Sequence, residues 1–241
     1  MRLKLVFSMA VILLAAACGS AGPADAADIT LRYVDEDYPD DPLVIQADSA
    51  GNIAAREGDG QAFFVLGGET YLVIDDEYGQ SVVRFDDYLS VAADIRQLYI
   101  DEGLVEPEPQ IRHELTDLGE QAIGEWRGTA YRLRLVDDPR VPVEVTVSDD
   151  PALADAAPAA QRVFTLISRL HTAFGLLPEE YARAWRDLYT RGMPIAADGR
   201  VLESVERGPI PEESFALPGE PITRETLAER GRRRLDQRPQ Q

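Results

Sequence analysis

The side chains able to do chemistry are few and scattered. Cys18 is the single cysteine, and His113 and His171 are the only histidines. A lone thiol has no disulfide partner, so an oxidising compartment offers this fold no covalent staple. Cys18 follows Leu14-Ala15-Ala16-Ala17 and precedes Gly19-Ser20, small residues at the end of an apolar run. That setting reads as the acceptor of a lipid, after which the thiol neither attacks a substrate nor ligates a metal. Neither histidine has a second histidine or a cysteine at ligand spacing, so no metal site is expected. There is no Gly-x-Ser-x-Gly elbow, no His-Glu-x-x-His helix and no phosphate-cradling glycine loop. No catalytic residue and no cofactor is therefore assigned. The only lysine is Lys4, inside the leader, which removes Schiff-base chemistry from the mature chain.

Carboxylates are the exception, with 43 Asp and Glu against 24 Lys and Arg. So many acids make any one catalytic pair uninformative. The clusters Asp35-Glu36-Asp37, Asp40-Asp41, Asp75-Asp76-Glu77 and Asp149-Asp150 lack the alternating spacing of a calcium loop and read as solvated turns.

Arg2 and Lys4 precede the apolar run at 5–14 and the small residues Ala15, Ala16 and Ala17. Residues 1–17 thus carry the three parts of an export signal, and 18–27 form a flexible spacer behind Cys18. Cleavage after Ala24-Asp25-Ala26 is the alternative; it would discard the cysteine and release a soluble chain starting at Ala27. The expected address is periplasm-facing at the outer membrane, with a soluble periplasmic or secreted form as the alternative. No later segment approaches the roughly 20 apolar residues of a spanning helix. Loss of Arg2 and Lys4 leaves a formal charge two units more negative than −19. Such a chain repels nucleic acid and anionic headgroups, so membrane attachment is expected through the lipid alone, and a protein partner is expected to be basic.

The elements that must hold any site are mainly strands. Residues 29–34 alternate, 43–45 are a short apolar run, and a turn at 48–52 leads into 53–56. At 62–74 two β-rich runs flank Gly67-Gly68, the link a tight hairpin requires, and a turn containing Gly79 leads on to 81–85. This meander is apolar on both faces, so both are expected to be covered. Tyr88, Val91, Ile95, Leu98 and Tyr99 recur at helical spacing until Gly103. Strands are expected over 111–118, 128–136 and 141–147. Residues 150–190 read as two helices, with stripes of Val163, Ile167, Leu170 and Phe174, then of Tyr181, Ala184, Trp185 and Leu188, the second opened by Pro178. Asp198-Gly199 joins strands at 193–197 and 201–205. The chain is expected to fold as one α+β domain over 28–219 with a helical insertion at 150–190. Residues 220–241 form a tail rich in arginine, short-helical or disordered, that reads as a solvated terminus or one folded onto the acidic body, with a dedicated binding arm as the alternative.

The segment order carries a resemblance. Phe64-Val65-Leu66-Gly67-Gly68-Glu69-Thr70-Tyr71, the stretch 119–131, Gly192-Met193-Pro194 and Ser214-Phe215-Ala216-Leu217-Pro218 together resemble the LolA-like lipoprotein-carrier superfamily, including its periplasmic members of unknown function. The resemblance implies a curved antiparallel sheet, a half-barrel whose concave face is covered by helices. It also implies a lipid, an acyl chain or another apolar ligand in the space between. The matching strand positions are Phe63, Val65, Tyr71, Val73, Tyr131 and Leu133; taken alone, such side chains also read as ordinary core. The expectation is a non-enzymatic envelope lipoprotein binding a hydrophobic or acylated ligand. An assembly module with a filled core and an acidic binding surface is the alternative, and an unrecognised hydrolase a remote one.

Cells fed a labelled fatty acid are expected to incorporate it into the wild-type chain and not into Cys18→Ser. Label retained in the variant, or a mature N-terminus at Ala27, would exclude the tether.

Overall fold

The computed structural model describes residues 27–58, 61–105, 112–136 and 143–236. The export signal, Cys18 and the alternative cleavage site at 24–26 lie outside the described residues.

Short links set the topology. β1 (Ile29–Asp35), β2 (Leu43–Ala47), β3 (Ile53–Glu57), β4 (Gln61–Leu66), β5 (Glu69–Asp76) and β6 (Gly79–Arg84) form one antiparallel meander. β7 (His113–Ile123), β8 (Trp126–Leu135), β9 (Val143–Ser148), β10 (Met193–Ala197) and β11 (Arg200–Arg207) form a second antiparallel set, in which a long connection over 149–192 separates β9 from β10. β1 pairs with β11 and fuses the two, while β12 (Pro221–Ile222) lies parallel to β6. The result is an open twelve-stranded sheet in the order β12-β6-β5-β4-β3-β2-β1-β11-β10-β9-β8-β7. With the helices below, the fold class is α+β. Gly67 and Gly68 take φ of 56° and 86°, and Asp198 and Gly199 take 54° and 78°, the left-handed conformations that two-residue hairpin links demand.

The strand expected at 111–118 is longer, because β7 runs on to Ile123 and turns straight into β8. A bulge between Asp117 and Gly119 hides this in the sequence: Gly119 sits at φ 86° and its N–H donates to Asp117 Oδ1 at 2.8 Å. The extra residue shifts the phase of the side chains, so the alternation breaks in mid-strand.

Four helices, α1 (Phe85–Asp101), α2 (Ala157–Ala173), α3 (Glu179–Tyr189) and α4 (Arg224–Asp236), complete the described fold. Their buried side chains share one core with Leu31, Ile45, Ala55, Phe63, Leu72 and Val83. Those strand residues are successive cross-strand partners and therefore lie on a single face of the sheet. Residues 150–190 are thus part of this core: Val163, Phe164, Ile167, Leu170, Tyr181, Trp185 and Leu188 are all buried in it. Phe174 leaves the stripe expected for it. It occupies the C-cap of α2, half exposed, with its ring edge-on to Tyr88 at 5.9 Å.

The opposite face carries a smaller core of Ala54, Phe64, Val73 and Val82, against which Phe215 and Leu217 pack. Arg56 stacks over Phe64 at 4.9 Å and donates to the Ser214 carbonyl, holding that segment down. Beyond it the chain pairs with β6 through β12 and returns to the first face, where α4 packs on α1. Leu227 is buried there, Arg224 bonds Asp94 at 2.8 Å, and Arg230 donates to Ser81 Oγ at 2.8 Å. Gly231 permits the approach, since a Cβ there would stand 2.4 Å from Ile95 Cδ1. The arginine-rich segment, as far as Asp236, folds onto the acidic body.

Phe164→Ala, at the centre of the main core, is expected to cost about 3–5 kcal/mol in urea unfolding. Phe174→Ala should cost less than about 1 kcal/mol.

Candidate functional site

The residues expected to line a ligand space do not share one face. β4 and β5 are joined by a two-residue link, which pairs odd positions with even ones, so Phe63 lies opposite Leu72 and Phe64 opposite Tyr71. Phe63, Val65, Tyr131 and Leu133 belong to the core under the helices, while Val73 belongs to the reverse face with Tyr71 packed beside it. Grouping all of them on one wall is therefore corrected by the alternation of side chains along a strand. The four on the helix side are 5% (Phe63), 7% (Val65), 9% (Tyr131) and 0% (Leu133) exposed. Side chains bordering a space large enough for an acyl chain would retain accessible area, and these retain almost none.

What meets them is a seam of aromatic rings. Tyr33 of β1 is edge-on to Phe164 at 5.1 Å, Phe164 meets Tyr189 at 5.7 Å, Tyr189 meets Trp185 at 6.2 Å, and Trp185 meets Tyr181 at 5.8 Å. The Tyr33 hydroxyl donates to the Pro194 carbonyl at 2.7 Å and the Tyr181 hydroxyl to the Leu133 carbonyl at 3.1 Å, so two rings are pinned to the sheet backbone. Trp185 Nε1 and Tyr189 Oη are buried without a hydrogen-bond partner among the described residues. Burial, then Asp198, Tyr33 and Tyr181, push the Tyr189 hydroxyl well above the ordinary tyrosine range, so it exchanges no proton near neutral pH.

Beside the seam lies a cluster of charges that spacing did not reveal. Arg200 of β11 donates through Nε to Glu57 Oε1 at 3.1 Å and through Nη1 to Asp198 Oδ2 at 2.8 Å. Burial works against the Arg200 charge, but the bonds and charges of Glu57 and Asp198 outweigh it and raise its pKa. The Asp198 carboxyl is raised above the ordinary aspartate range by burial and, less, by Glu57, with His171 and Arg200 pulling it back. These side chains close on one another and tie the β10–β11 link to the end of β3. They present no nucleophile with a base beside it. Asp198-Gly199 was legible as a turn, whereas Glu57 and Arg200 stand 143 residues apart in the chain, beyond any local pattern. His113, the other histidine, is exposed on β7. No group of three or more His, Cys, Asp or Glu is placed to hold a metal ion among the described residues, and no described helix is long and apolar enough to cross a membrane.

The chain matches no protein-family model, no curated protein and no solved structure.

Tyr189→Phe removes a buried hydroxyl that has no partner, and is expected to raise stability by about 1 kcal/mol in denaturant unfolding. Asp198→Asn keeps a side chain that tolerates positive φ and removes the buried charge. Because the folded-state pKa of Asp198 lies above the unfolded one, the unfolded chain loses this proton first as pH rises. Wild type therefore loses stability as pH climbs through that window, and the loss persists above the folded-state pKa. The melting temperature of Asp198→Asn should fall less between acidic and neutral pH, and an unchanged pH profile would show that Asp198 ionises freely in the fold.

Proposed function

We propose that this chain is an exported envelope lipoprotein, tethered through Cys18, whose folded body binds a protein partner at its surface and performs no chemistry of its own. The observation that carries this reading is the filled interior. The rings of Tyr33, Phe164, Tyr189 and Trp185, all under 3% exposed, occupy the place where a ligand would lie. The reverse face, whose apolar character suggested a second layer or a guest, is covered by Phe215 and Leu217 of the same chain. A formal charge of −19 or lower gives the surface a long-range attraction for a basic partner.

The architecture is read further as a half-barrel. Neighbouring strands rotate by roughly 20–25° from one to the next, and open sheets beyond about ten strands curl. Twelve strands with the core helices gathered on one face favour a bend with α1, α2 and α3 on its inner side, as the likeness to lipoprotein carriers implies.

A second reading, a lipid or other apolar ligand held between sheet and helices, draws on the unpartnered Trp185 Nε1 and Tyr189 Oη, atoms that a polar headgroup would satisfy if the helices moved outward.

Pull-down from detergent-solubilised envelopes should recover a basic protein whose retention falls steeply as salt is raised. Native mass spectrometry of the same preparation should show the bare polypeptide with its N-terminal lipid and no further mass. A stoichiometric co-purifying lipid, with no salt-sensitive protein, would favour the second reading instead.

A further inference from the structure

Resting on the reading of a partner-binding module, we propose that the outer edge of β7 is the docking site, and that its occupant is an extended, basic segment of another protein that adds a strand to the sheet.

β7 has eleven residues, all exposed except the half-buried Ile123, and among the described residues β8 is the one strand that pairs with it. Such a strand presents a row of outward N–H and C=O groups, a ready template for one more strand. The two edges of the sheet are treated differently. At the other end β6 is covered by β12, and α4 follows behind it. Exposed edges are ordinarily blunted by lysine, by proline or by being short; β7 is long and contains neither residue nor any arginine. Its one irregularity is the bulge at Asp117–Gly119, which leaves a five-residue run on each side.

Charge selects the kind of strand. Glu114, Asp117 and Glu120 lie on β7 itself, whereas Arg127, Arg132 and Arg134 lie one strand inward on β8. Glu114 bonds Arg134 at 2.7 Å and Glu120 bonds Arg127 at 2.9 Å, yet 56% and 67% of those carboxylate side chains remain in water. The outermost row is thus acidic, on a body that is acidic overall. A second copy of β7 would bring three more carboxylates against these and add the charge of a second acidic body, so self-pairing is disfavoured. Lysines or arginines on an incoming strand would meet opposite charge at the same positions. Leu115 and Leu118, 38% and 40% exposed, offer apolar contact to its remaining side chains.

The test is backbone hydrogen exchange of the mature chain with a short synthetic strand alternating arginine with valine and threonine, beside a control with glutamate in place of arginine. The arginine strand is expected to slow exchange of the β7 amides at least tenfold, the glutamate strand to leave them unchanged, and Glu114→Lys with Glu120→Lys to abolish the effect. Protection of the β8 and β9 amides as in wild type would show that the variant is folded. The proposal is overturned if both strands act alike, if protection appears elsewhere, or if the outward β7 amides are already slow in the free protein. Salt-sensitive capture of a basic partner that leaves β7 unprotected would move the docking site while sparing the partner-binding reading. Absence of any such partner would remove that reading itself.

Discussion

The docking of the α2–α3 pair onto one face of the sheet is the constraint from which the rest follows. A sheet this wide has an apolar face no single helix can cover, and the two helices meet it through rings as well as through the aliphatic chains of Val163, Leu166, Ile167, Leu170 and Leu188. Ring contacts among Tyr33, Phe164, Tyr189, Trp185 and Tyr181, edge-on for Tyr33–Phe164 and Trp185–Tyr189 and tilted for the other two pairs, add specific geometry to area burial, since the electropositive edge of one ring prefers the electronegative face of the next. The hydroxyl bond from Tyr181 to the Leu133 carbonyl ties α3 to β8, and that from Tyr33 to the Pro194 carbonyl ties β1 to β10 beneath the rings. A single cysteine leaves this chain no internal disulfide, so the seam ties helices to sheet without a covalent link.

The C-terminal segment closes what the seam leaves open. After β11 the chain crosses the reverse face as Phe215 and Leu217, joins the β6 edge as β12, and ends as α4 against α1. One continuous stretch therefore shields the second apolar face, one sheet edge and the flank of a helix. Its arginines matter here because the body it folds onto is acidic: Arg224 and Arg230 reach Asp94 and Asp76. The Arg224–Asp94 pair is largely exposed and individually weak, and Arg230 stands 3.8 Å from a mostly buried Asp76, while Leu227 and Phe215 add hydrophobic contacts to the same segment. Among the described residues no such cover lies over the β7 edge.

Much of the fold was legible because its signals are local. Gly67-Gly68 and Asp198-Gly199 announce hairpins through the φ values they permit, and the stripe Val163, Ile167, Leu170 announces a buried helix face. The two-residue link after β4 even contained the answer that placed Phe63 and Tyr71 on opposite faces, since such a link always sets odd positions against even. The bulge in β7 was illegible because a one-residue phase slip looks like the end of a strand. The cluster of Glu57, Asp198 and Arg200 was illegible because its members meet only when β3 and β11 enter the same sheet.

By itself the sequence determined the apolar N-terminal run with the lone cysteine behind it, the absence of recognisable catalytic motifs, the acidic net charge, and the kind of most elements. These depend on residue chemistry and on backbone preferences that act over a few positions. Only the tertiary structure decided that β1 pairs with β11, that Phe215 and Leu217 shield the reverse face, and that among the described residues β7 is the outermost strand, paired with β8 alone. Interstrand hydrogen bonds are made by the same backbone groups whatever the side chains, so pairing between distant strands is chosen by the packing of the whole core.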